Sequence, residues 1–314
     1  MIKPSFLLRT LAQYIFASVQ FASSRLAGKE PAGFTFCAHR LTHLKPVKAV
    51  CYGNGLNKAG RMVLKGRAGR QSVKLYEAAG LAHADFICTV GSKKWFGHFF
   101  PDVIGVQGHW IAAEWAKGKR MVADVKTLHW LAEIMVKLHQ VPASVLPEAG
   151  FDYWHDFVLP RFKRAMAFAG ETDLVMTVRK SVEAVWLCDS VLMHPDLTPA
   201  NVIHTADKGF CIIDNELLTT GGIPLLDVCN TCKALAPAQA VIYAEAYFRA
   251  CPEDRRQISP DMAAALEAVW LARIVGSAFV AGNASYFLNA ISQYRAGQSL
   301  LPAGLNSVIE AGRL

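Results

Sequence analysis

The chain has few charged residues, no disulfide-type cysteine framework and no long apolar run. Charged residues make up 18% and hydrophobic residues 53% of its 314 residues, which excludes an intrinsically disordered protein. The eight cysteines follow no regular spacing, so a disulfide-stapled scaffold is excluded and reduced thiols are expected. No stretch approaches the ~18 consecutive apolar residues of a membrane span, which excludes a polytopic membrane protein.

Acidic residues are almost absent from the first quarter of the chain. Residues 1–76 contain thirteen Lys and Arg but a single acid, Glu30, so this segment carries +12 while the whole chain carries +8. Such asymmetry predicts an anionic partner, which is a phosphate ligand, a membrane surface or nucleic acid. The basic segment lacks the aromatic stripe that single-strand binders use, so no nucleic-acid partner is expected.

Residues 1–33 are predicted to form a separate amphipathic segment. Within residues 1–28 the apolar positions roughly follow a helical period, but Arg9 and Gln13 interrupt them, which excludes a signal-peptide core. Three interpretations stay open: a helix on an anionic membrane surface, an organelle transit peptide, and a helix packed on the fold. The expected location is the cytoplasm, with peripheral membrane attachment under the first interpretation.

The remaining sequence divides into a β-rich part and a helical part. Strand-type runs, with one helix predicted over 68–82, occur at 34–42, 47–52, 61–65, 85–91 and 103–115. Helical periodicity, interrupted by short apolar runs at 191–193 and 210–213, occurs at 123–139, 155–169, 173–188, 227–250 and 260–296. We therefore predict a two-lobed α+β fold, with a small antiparallel N-lobe (34–118) and a larger, mainly helical C-lobe (119–314). A cleft between two such lobes is a usual place for a ligand.

The most informative segment is VLMHPDLTPANVIHTADKGFCIIDNE, residues 191–216. It holds His194 and Asp196, then Asn201 five residues later, then Asp214 after an apolar strand. Phosphoryl transfer needs a carboxylate that orients an attacking hydroxyl, and hard oxygen ligands for Mg²⁺. Asp196 suits the first role and Asn201 and Asp214 suit the second, while His194 is expected to brace the catalytic loop.

These strings resemble the catalytic and metal-binding loops of the aminoglycoside phosphotransferase/choline kinase family, which has a protein-kinase-like fold. The family's usual strings are H-G-D-x-x-x-x-N and I-D-[WF]-E, and this chain has HPDLTPAN and IDNE. The resemblance covers about residues 35–250. Five further stretches resemble the family in the same order along the chain: VLK at 63–65, KLYEAA at 74–79, WIAAE at 110–114, LAEIMVKLHQVP at 131–142 and GGIPLLDV at 221–228.

The resemblance implies an ATP-dependent kinase with a nucleotide site in the N-lobe. Lys65 is implied to contact the α- and β-phosphates and to be held by Glu77 from a following helix. The backbone near Glu114 and Ala116 is implied to meet adenine. The choice between ATP and GTP stays open at this point.

Asp227 is implied to brace the catalytic loop. Three positions depart from the family pattern: Pro195 replaces a common Gly, Asn215 an aromatic residue and Ile223 an acid. None of these departures removes a catalytic group.

The loop that covers the phosphates stays open between two segments. One is GNGLNKAG, residues 53–60, whose glycines would let the backbone approach phosphate closely. The other, which fits the strand count better, is Thr42-His43-Leu44-Lys45. Farther along the chain, Cys229 and Cys232 have the spacing of half a zinc site, but no second pair matches, so packing on a helix is expected.

The predicted function is phosphorylation of a hydroxyl on a small molecule or sugar, with ATP and Mg²⁺ as cofactors. Aminoglycosides are polycations, whereas residues 77–314 hold 24 acids against twenty bases and show no dense acid cluster. One alternative is a membrane-associated kinase of a lipid-linked glycan such as a lipopolysaccharide core sugar, with residues 1–28 on the membrane. Another is a non-catalytic, nucleotide-binding pseudokinase.

Overall fold

The computed structural model describes residues 34–36, 39–47, 61–92, 94–253 and 256–310. Its strands are β1 (Phe34–Phe36), β2 (His39–Pro46), β3 (Val63–Ala68), β4 (Gln71–Glu77), β5 (Val103–Gln107), β6 (Trp110–Glu114), β7 (Lys119–Arg120), β8 (Val191–Met193), β9 (Val202–Thr205), β10 (Gly209–Ile212) and β11 (Thr219–Gly221). Its α-helices are α1 (Leu81–Val90), α2 (Val125–His139), α3 (Leu159–Ala169), α4 (Thr172–Trp186), α5 (Leu225–Lys233), α6 (Pro237–Ala250), α7 (Pro260–Val280), α8 (Ala284–Arg295) and α9 (Ala303–Glu310). A π-helix, Tyr153–Val158, leads directly into α3.

The described residues divide into two compact units. The sheet unit contains the described residues up to Ala78 together with Asp102–Trp115, and the helical unit contains Ala79–Pro101 and the described residues from Ala116 onward. The second division lies three residues before the predicted lobe boundary at Gly118. Helix α1 belongs to the helical unit, although the strands before and after it in the sequence, β4 and β5, belong to the sheet unit.

The sheet unit is a six-stranded antiparallel sheet in the order β1-β2-β3-β4-β6-β5. Gly69 (φ +57°) turns the β3–β4 hairpin and Gly108 (φ +60°) turns the β5–β6 hairpin. One face of the sheet carries a hydrophobic core of Leu41, Leu64, Val73, Leu75 and Ala112. Since side chains alternate between faces along a strand, the opposite face carries polar residues such as Lys65 and Lys74 together with the buried Val63, Tyr76 and Ile111.

The helix predicted over 68–82 and the strand predicted over 85–91 are both wrong. Residues 71–77 form strand β4, in which Val73 and Leu75 alternate with polar side chains, and the helix α1 begins only at Leu81. The buried positions of α1 follow a helical period, but DFICTVG alone is a short apolar run that does not distinguish strand from helix. Gly80, the N-cap residue of α1, lies between strand β4 and this helix.

The segment Thr42–Lys45 lies inside β2 and does not connect two strands. The pairing of β2 with β3 shifts register between Thr42 and Lys45, and His43 takes a positive φ of 54°. The preference for this segment as the phosphate-covering loop is therefore wrong. Its rival, residues 53–60, lies outside the described residues, as do the amphipathic segment 1–33 and nearly all of the strand predicted at 47–52.

The helical unit contains two groups of packed helices, one around α7 and one around α6. Helix α7 packs against α3, α4 and α8, and α2 packs against α6. The capping box at the start of α2 joins Asp124 to Thr127, whose backbone N–H lowers the pKa of the Asp124 carboxyl. The periodicity at 123–139, 155–169 and 173–188 predicted its helices within a few residues, whereas 227–250 and 260–296 each contain two helices.

One helix among the described residues, α7, is long and apolar enough to cross a membrane by length and composition. Its most apolar 18-residue window has a mean hydropathy of 1.6, and 61% of that window is buried inside the protein. The sequence shows no continuous apolar run here because Glu267 and Arg273 interrupt it. Burial against three neighbouring helices is typical of the core helix of a folded domain.

Candidate functional site

The catalytic loop predicted from the sequence, residues 194–201, leaves strand β8 in the helical unit. The backbone N–H of His194 donates to Oδ2 of Asp227 over 2.6 Å, and its Nε2 lies 3.0 Å from Oδ1 of Asn215. Both His194 and Asp227 are fully buried. The first residue of the loop is thus fixed through its backbone and through its ring.

Helix α5 holds this loop at two points one helical turn apart. Asp227, in its first turn, also contacts Nε2 of His139 at 3.2 Å, and Nδ1 of His139 lies 2.8 Å from the Tyr247 hydroxyl. Thr231 donates its hydroxyl to the carbonyl of Leu197 over 2.6 Å. Buried polar groups need such partners, so the loop and the helix constrain each other.

Gly222, directly before Ile223, stands where the chain has no room for a side chain. A Cβ at Gly222 would lie 2.2 Å from the carbonyl oxygen of Val185 and 2.3 Å from that of Cys188. The chain therefore passes against the end of α4 so closely that only glycine fits there. Gly222 lies three residues before Leu225, so its contact with the end of α4 fixes where α5 begins.

Asn201 and Asp214 lie at the same end of the β9–β10 hairpin. Val202 pairs with Ile212, and the N–H of Ile213 donates to the Asn201 carbonyl over 2.8 Å. The side-chain amide of Asn201 donates to the Asp196 carbonyl over 2.8 Å. These bonds bring three of the predicted site residues together around one end of a short hairpin.

The donor set at this hairpin end fits a magnesium ion. The side-chain nitrogen of Asn201 donates to the Asp196 carbonyl, so its side-chain oxygen is the atom that can bind a metal ion. Asp214 adopts a left-handed backbone conformation (φ +62°), which is uncommon for a residue other than glycine and is typical of functional loops. Mg²⁺ is usually held by one or two carboxylates together with substrate phosphates and water. Among the described residues, no group of three or more His, Cys, Asp and Glu that could hold a metal is present.

Three lysines lie side by side on the face of the sheet opposite its hydrophobic core cluster, and we call them the lysine row. Lys45 on β2 pairs with Lys65 on β3, which pairs with Lys74 on β4. Directly paired residues of antiparallel strands project to the same face. The ammonium of Lys65 lies 3.9 Å from the centroid of the Trp115 ring, and that of Lys74 lies 5.0 Å from the Tyr76 ring. The face thus combines cations with aromatic rings at cation–π distances.

The predicted pairing of Lys65 with a helical Glu77 is wrong. Glu77 is the last residue of strand β4, and its Oε2 accepts a hydrogen bond from the N–H of Met62 over 2.7 Å. Its Oε1 lies 3.7 Å from Nε2 of His109. Within the described part of the chain, no ion pair joins Lys65 to Glu77. The carboxylate instead ties β4 to the residue before β3.

Sequence reasoning missed Lys74 as a candidate for phosphate contact. The resemblance implies that the lysine-bearing strand is followed directly by a helix, and in the structure β4 with Lys74 fills that place, whereas Lys65 lies one strand earlier. The alternation of Val73 and Leu75 in QSVKLYE was the available signal. Asn215 was missed as well, because its bond to His194 joins residues that only the folded chain brings together.

The backbone predicted to meet adenine lies where the chain leaves the sheet unit. The N–H of Glu114 donates to the Asp102 carbonyl over 2.8 Å, and that of Trp115 donates to the Ser72 carbonyl over 3.0 Å. Ala116 is the first residue of the second stretch of the helical unit. The adenine contact itself stays a prediction.

Cys229 and Cys232 lie buried on helix α5. Burial raises the pKa of both thiols, that of Cys232 to about 12. Both side chains therefore remain protonated thiols at neutral pH, which suits packing in the core rather than reaction.

Comparison with known proteins identifies the family to which this chain belongs. The profile of the Phosphotransferase enzyme family (APH) matches residues 77–260, more than half of the chain, and the chain belongs to this family. The resemblance drawn from the sequence is thereby confirmed, and a small-molecule kinase is the activity that the family supports. No curated protein sequence matches the chain.

Solved structures show the same fold. The choline kinase LicA from Streptococcus pneumoniae is 12% identical over 85% of this chain and 94% of that one, with a TM-score of 0.52. LicA in complex with AMP gives a TM-score of 0.53 at 11% identity, over 82% of this chain and 93% of that one. A choline/ethanolamine kinase family protein from Mesorhizobium loti gives 0.50 at 18% identity, over 87% and 94%. The predicted two-lobed α+β, protein-kinase-like fold is thus confirmed.

Proposed function

We propose that this phosphotransferase moves the γ-phosphoryl group of ATP to a hydroxyl of a small molecule or sugar. The observation that carries the proposal is the loop 194–201, whose backbone is held at His194, Leu197 and Asn201 while the Asp196 side chain stays partly exposed. Phosphoryl transfer depends mainly on positioning and electrostatics, and a rigid loop that presents one reachable carboxylate supplies the positioning.

The proposed roles follow from the chemistry of each side chain. Asp196 orients the acceptor hydroxyl and accepts its proton, while His194 holds the loop that carries Asp196. Asn201 and Asp214 hold Mg²⁺, which neutralises charge on the phosphates when bound. Because Asn201 is bonded to the Asp196 carbonyl, the metal ligand and the base keep a fixed spacing.

On the nucleotide side, we propose that both Lys65 and Lys74 contact the α- and β-phosphates. Their ammonium groups project from adjacent strands toward the same side of the sheet. The backbone near Glu114 and Ala116 takes the adenine in this proposal. The Trp115 ring beside Lys65 supports it, since an indole face suits a flat base.

The first test separates chemistry from binding. We expect Asp196→Ala to abolish phosphoryl transfer and to leave the affinity for MgATP nearly unchanged, because a general base acts on the acceptor and not on the nucleotide. Turnover would be followed with labelled ATP. Asp207→Ala is the matched control, since Asp207 is an exposed aspartate at the turn of the β9–β10 hairpin. Full activity of Asp196→Ala would refute the assignment.

The second test addresses the metal site by thermal unfolding with and without MgATP. Ligand linkage predicts about 2.7 kcal/mol of stabilisation at a hundredfold excess over the dissociation constant. Asp214→Asn is expected to remove the metal-dependent part of this shift. No shift of the natural protein with any nucleotide and metal pair would count against nucleotide binding, and therefore against both the kinase and the nucleotide-binding pseudokinase, and a search for protein or lipid partners would follow.

A lipid-linked glycan remains the second candidate for the acceptor. Residues 1–76 contain thirteen Lys and Arg and one acid. This positive charge favours the second candidate, because such a segment is attracted to anionic lipid. Under this version the protein is cytoplasmic and peripheral to the membrane. Binding to anionic liposomes that persists unchanged after deletion of residues 1–28 would refute the role of that segment.

A further inference from the structure

A half-buried arginine, Arg273, projects from the middle of helix α7 toward the π-helix Tyr153–Val158. Its Nε donates to the hydroxyl of Tyr153 over 2.8 Å, and its Nη1 bonds to the hydroxyl of Ser277 one turn along α7. Both partners are neutral. The guanidinium is thus oriented by two hydroxyl groups without being neutralised by either.

Arg273 has no acidic partner in the described part of the chain. No carboxylate oxygen lies within 4.0 Å of its guanidinium, and its Nη2 donates to no protein atom there. Withdrawing a cation from water without a counter-charge is costly. The planar fork of an arginine with free N–H groups matches a carboxylate or a phosphate.

The segment that holds Arg273 is joined to the catalytic loop by strand β11. The hydroxyl of Thr219 donates to the carbonyl of Phe151 over 2.8 Å, and Thr219 pairs with Met193 across the β8–β11 ladder. Met193 is the residue directly before the catalytic loop, and Tyr153 follows Phe151 by two residues. One side-chain hydrogen bond and one strand pairing therefore connect the segment that bears Tyr153 to the residue before the catalytic loop.

The electrostatics of Tyr153 agree with this placement. Burial raises the pKa of the phenol, the Arg273 guanidinium lowers it, and the carboxylates of Asp196 and then Asp227 raise it. The phenol thus lies within electrostatic range of both the arginine and the proposed catalytic base.

Aromatic rings and a close helix contact surround the residues that hold the guanidinium. The Phe157 ring stacks on Tyr153 at a centroid distance of 5.0 Å and an interplanar angle of 16°. Arg161 lies over the Phe157 ring at 3.7 Å and Arg273 at 6.0 Å. At Gly276 a Cβ would come within 2.9 Å of the Arg161 Cβ, so α7 and α3 meet in close contact here. A group held in this way is ready to bind without reordering.

We propose that Arg273 binds an anionic group, a carboxylate or a phosphate, on the same acceptor molecule whose hydroxyl Asp196 orients. The proposal rests on the proposed function, since it assigns a substrate class to the same site. A cationic acceptor of the choline or aminoglycoside type would meet like charge at this position. Arg273 is therefore a specificity-determining residue in this protein.

The test uses four acceptor probes that differ in charge: glycerol, glycerate, glycerol 3-phosphate and choline. Each would be titrated calorimetrically into the full chain saturated with MgADP, so that the nucleotide site is filled. We expect glycerate or glycerol 3-phosphate to bind, and the stronger of the two identifies the carboxylate or the phosphate as the recognised group. Arg273→Gln is expected to weaken that binding by about tenfold or more.

Two controls separate binding from folding. Arg164→Gln changes an exposed arginine of α3 and should leave anion binding unaltered. Arg273→Lys keeps the charge but not the fork, so we expect an intermediate affinity, which a purely structural role would not produce. The affinity for MgADP, measured before each titration, should be the same in all variants.

The outcomes distinguish the two proposals. Absence of MgADP binding in the natural protein would count against the proposed function. Two results with MgADP binding intact would overturn this inference but not the proposed function. In one, neither anion binds at concentrations up to about 50 mM; in the other, Arg273→Gln binds the anion as tightly as the natural protein does. Binding of choline or glycerol in preference to the anions would overturn it as well.

Discussion

The two units present their candidate functional residues in opposite ways. In the sheet unit the lysine row consists of half-buried or exposed cations, of which Lys65 and Lys74 lie over aromatic rings. In the helical unit the loop around Asp196 is held by buried hydrogen bonds, in which each bond fixes the next group. Long cationic side chains can adjust to a ligand at small cost, whereas a buried network has one arrangement. The comparison predicts that substitutions in the helical unit reduce stability and those in the lysine row reduce ligand affinity.

The largest expected effect is at Asp227. Replacing it with Ala leaves the His194 N–H and the His139 ring without their buried partner, and we expect a loss of roughly 3–5 kcal/mol in unfolding free energy. Asp261→Ala is the matched control, because Asp261 is an exposed acid in the first turn of α7, and its loss should stay below about 1 kcal/mol. Urea denaturation measures both.

Asp227→Asn keeps one acceptor oxygen and should fall between these two values. A stability of Asp227→Ala within about 1 kcal/mol of the natural protein would break the comparison, because the buried network would then not be what holds the loop.

The second prediction concerns the lysine row. Lys74→Met and Lys65→Met are each expected to lower the affinity for MgADP about tenfold, roughly 1.4 kcal/mol, with almost no change in melting temperature. The effect should shrink as salt rises, since the contacts are charged and partly exposed. Arg70→Met removes an exposed cation from the turn after β3 and should have no effect.

The same pair of variants sharpens the assignment within the sheet unit. A loss confined to Lys74→Met would transfer the phosphate contact from Lys65 to its neighbour. Affinities unchanged in both variants would contradict the proposal that this face of the sheet binds the nucleotide.

The smallest expected effect is a pH dependence at His155 in the π-helix. Partial burial lowers the pKa of His155, but hydrogen bonds and charges from Asp152 and then Glu183 outweigh it and raise the pKa. A raised pKa in the folded state stabilises the protein at pH below the unfolded value, and this contribution disappears as pH rises through the folded value. His155→Gln should therefore be more destabilising at pH ~5.5 than at pH ~8.5.

His98→Gln is the reference for that measurement. His98 is exposed, and no carboxylate lies within 4.0 Å of its ring among the described residues. The change between the two pH values is therefore compared for the two variants, and the excess in His155→Gln is assigned to Asp152 and Glu183. A His155→Gln effect that grows with pH would show that the acids beside the ring do not act as described.

The helical unit was the easier part to predict from the sequence. Periodicity defines helices such as Val125–His139, and the spacing in HPDLTPAN points to Asp196 and Asn201 because local chain geometry sets both. The sheet unit was harder, since QSVKLYE is a strand only by virtue of its pairing with β3 and β6. The error at Glu77 and the omission of Lys74 both follow from that one misassigned element.

Residues that act through distant partners could not be predicted. Asn215 reaches His194 over 21 positions of the sequence, and Arg273 reaches Tyr153 over 120. In the sequence Arg273 is a single cation in an apolar helix, and only the packing of α7 against the π-helix gives it neighbours. Functional residues that lie close together in one sequence motif can be predicted from the sequence. Functional residues that come from several separate helices cannot.

The π-helix Tyr153–Val158 makes this part of the protein sensitive to chain length. A π-turn closes its hydrogen bonds one residue farther along the chain than an α-turn does. Deleting one residue from this segment would let α3 continue backward as a regular helix and would rotate everything before it by about 100°. Tyr153 would then leave Arg273 without any change in amino-acid type, so under the role proposed for Arg273 the recognition of an acceptor depends on the length of this segment as well as on its side chains.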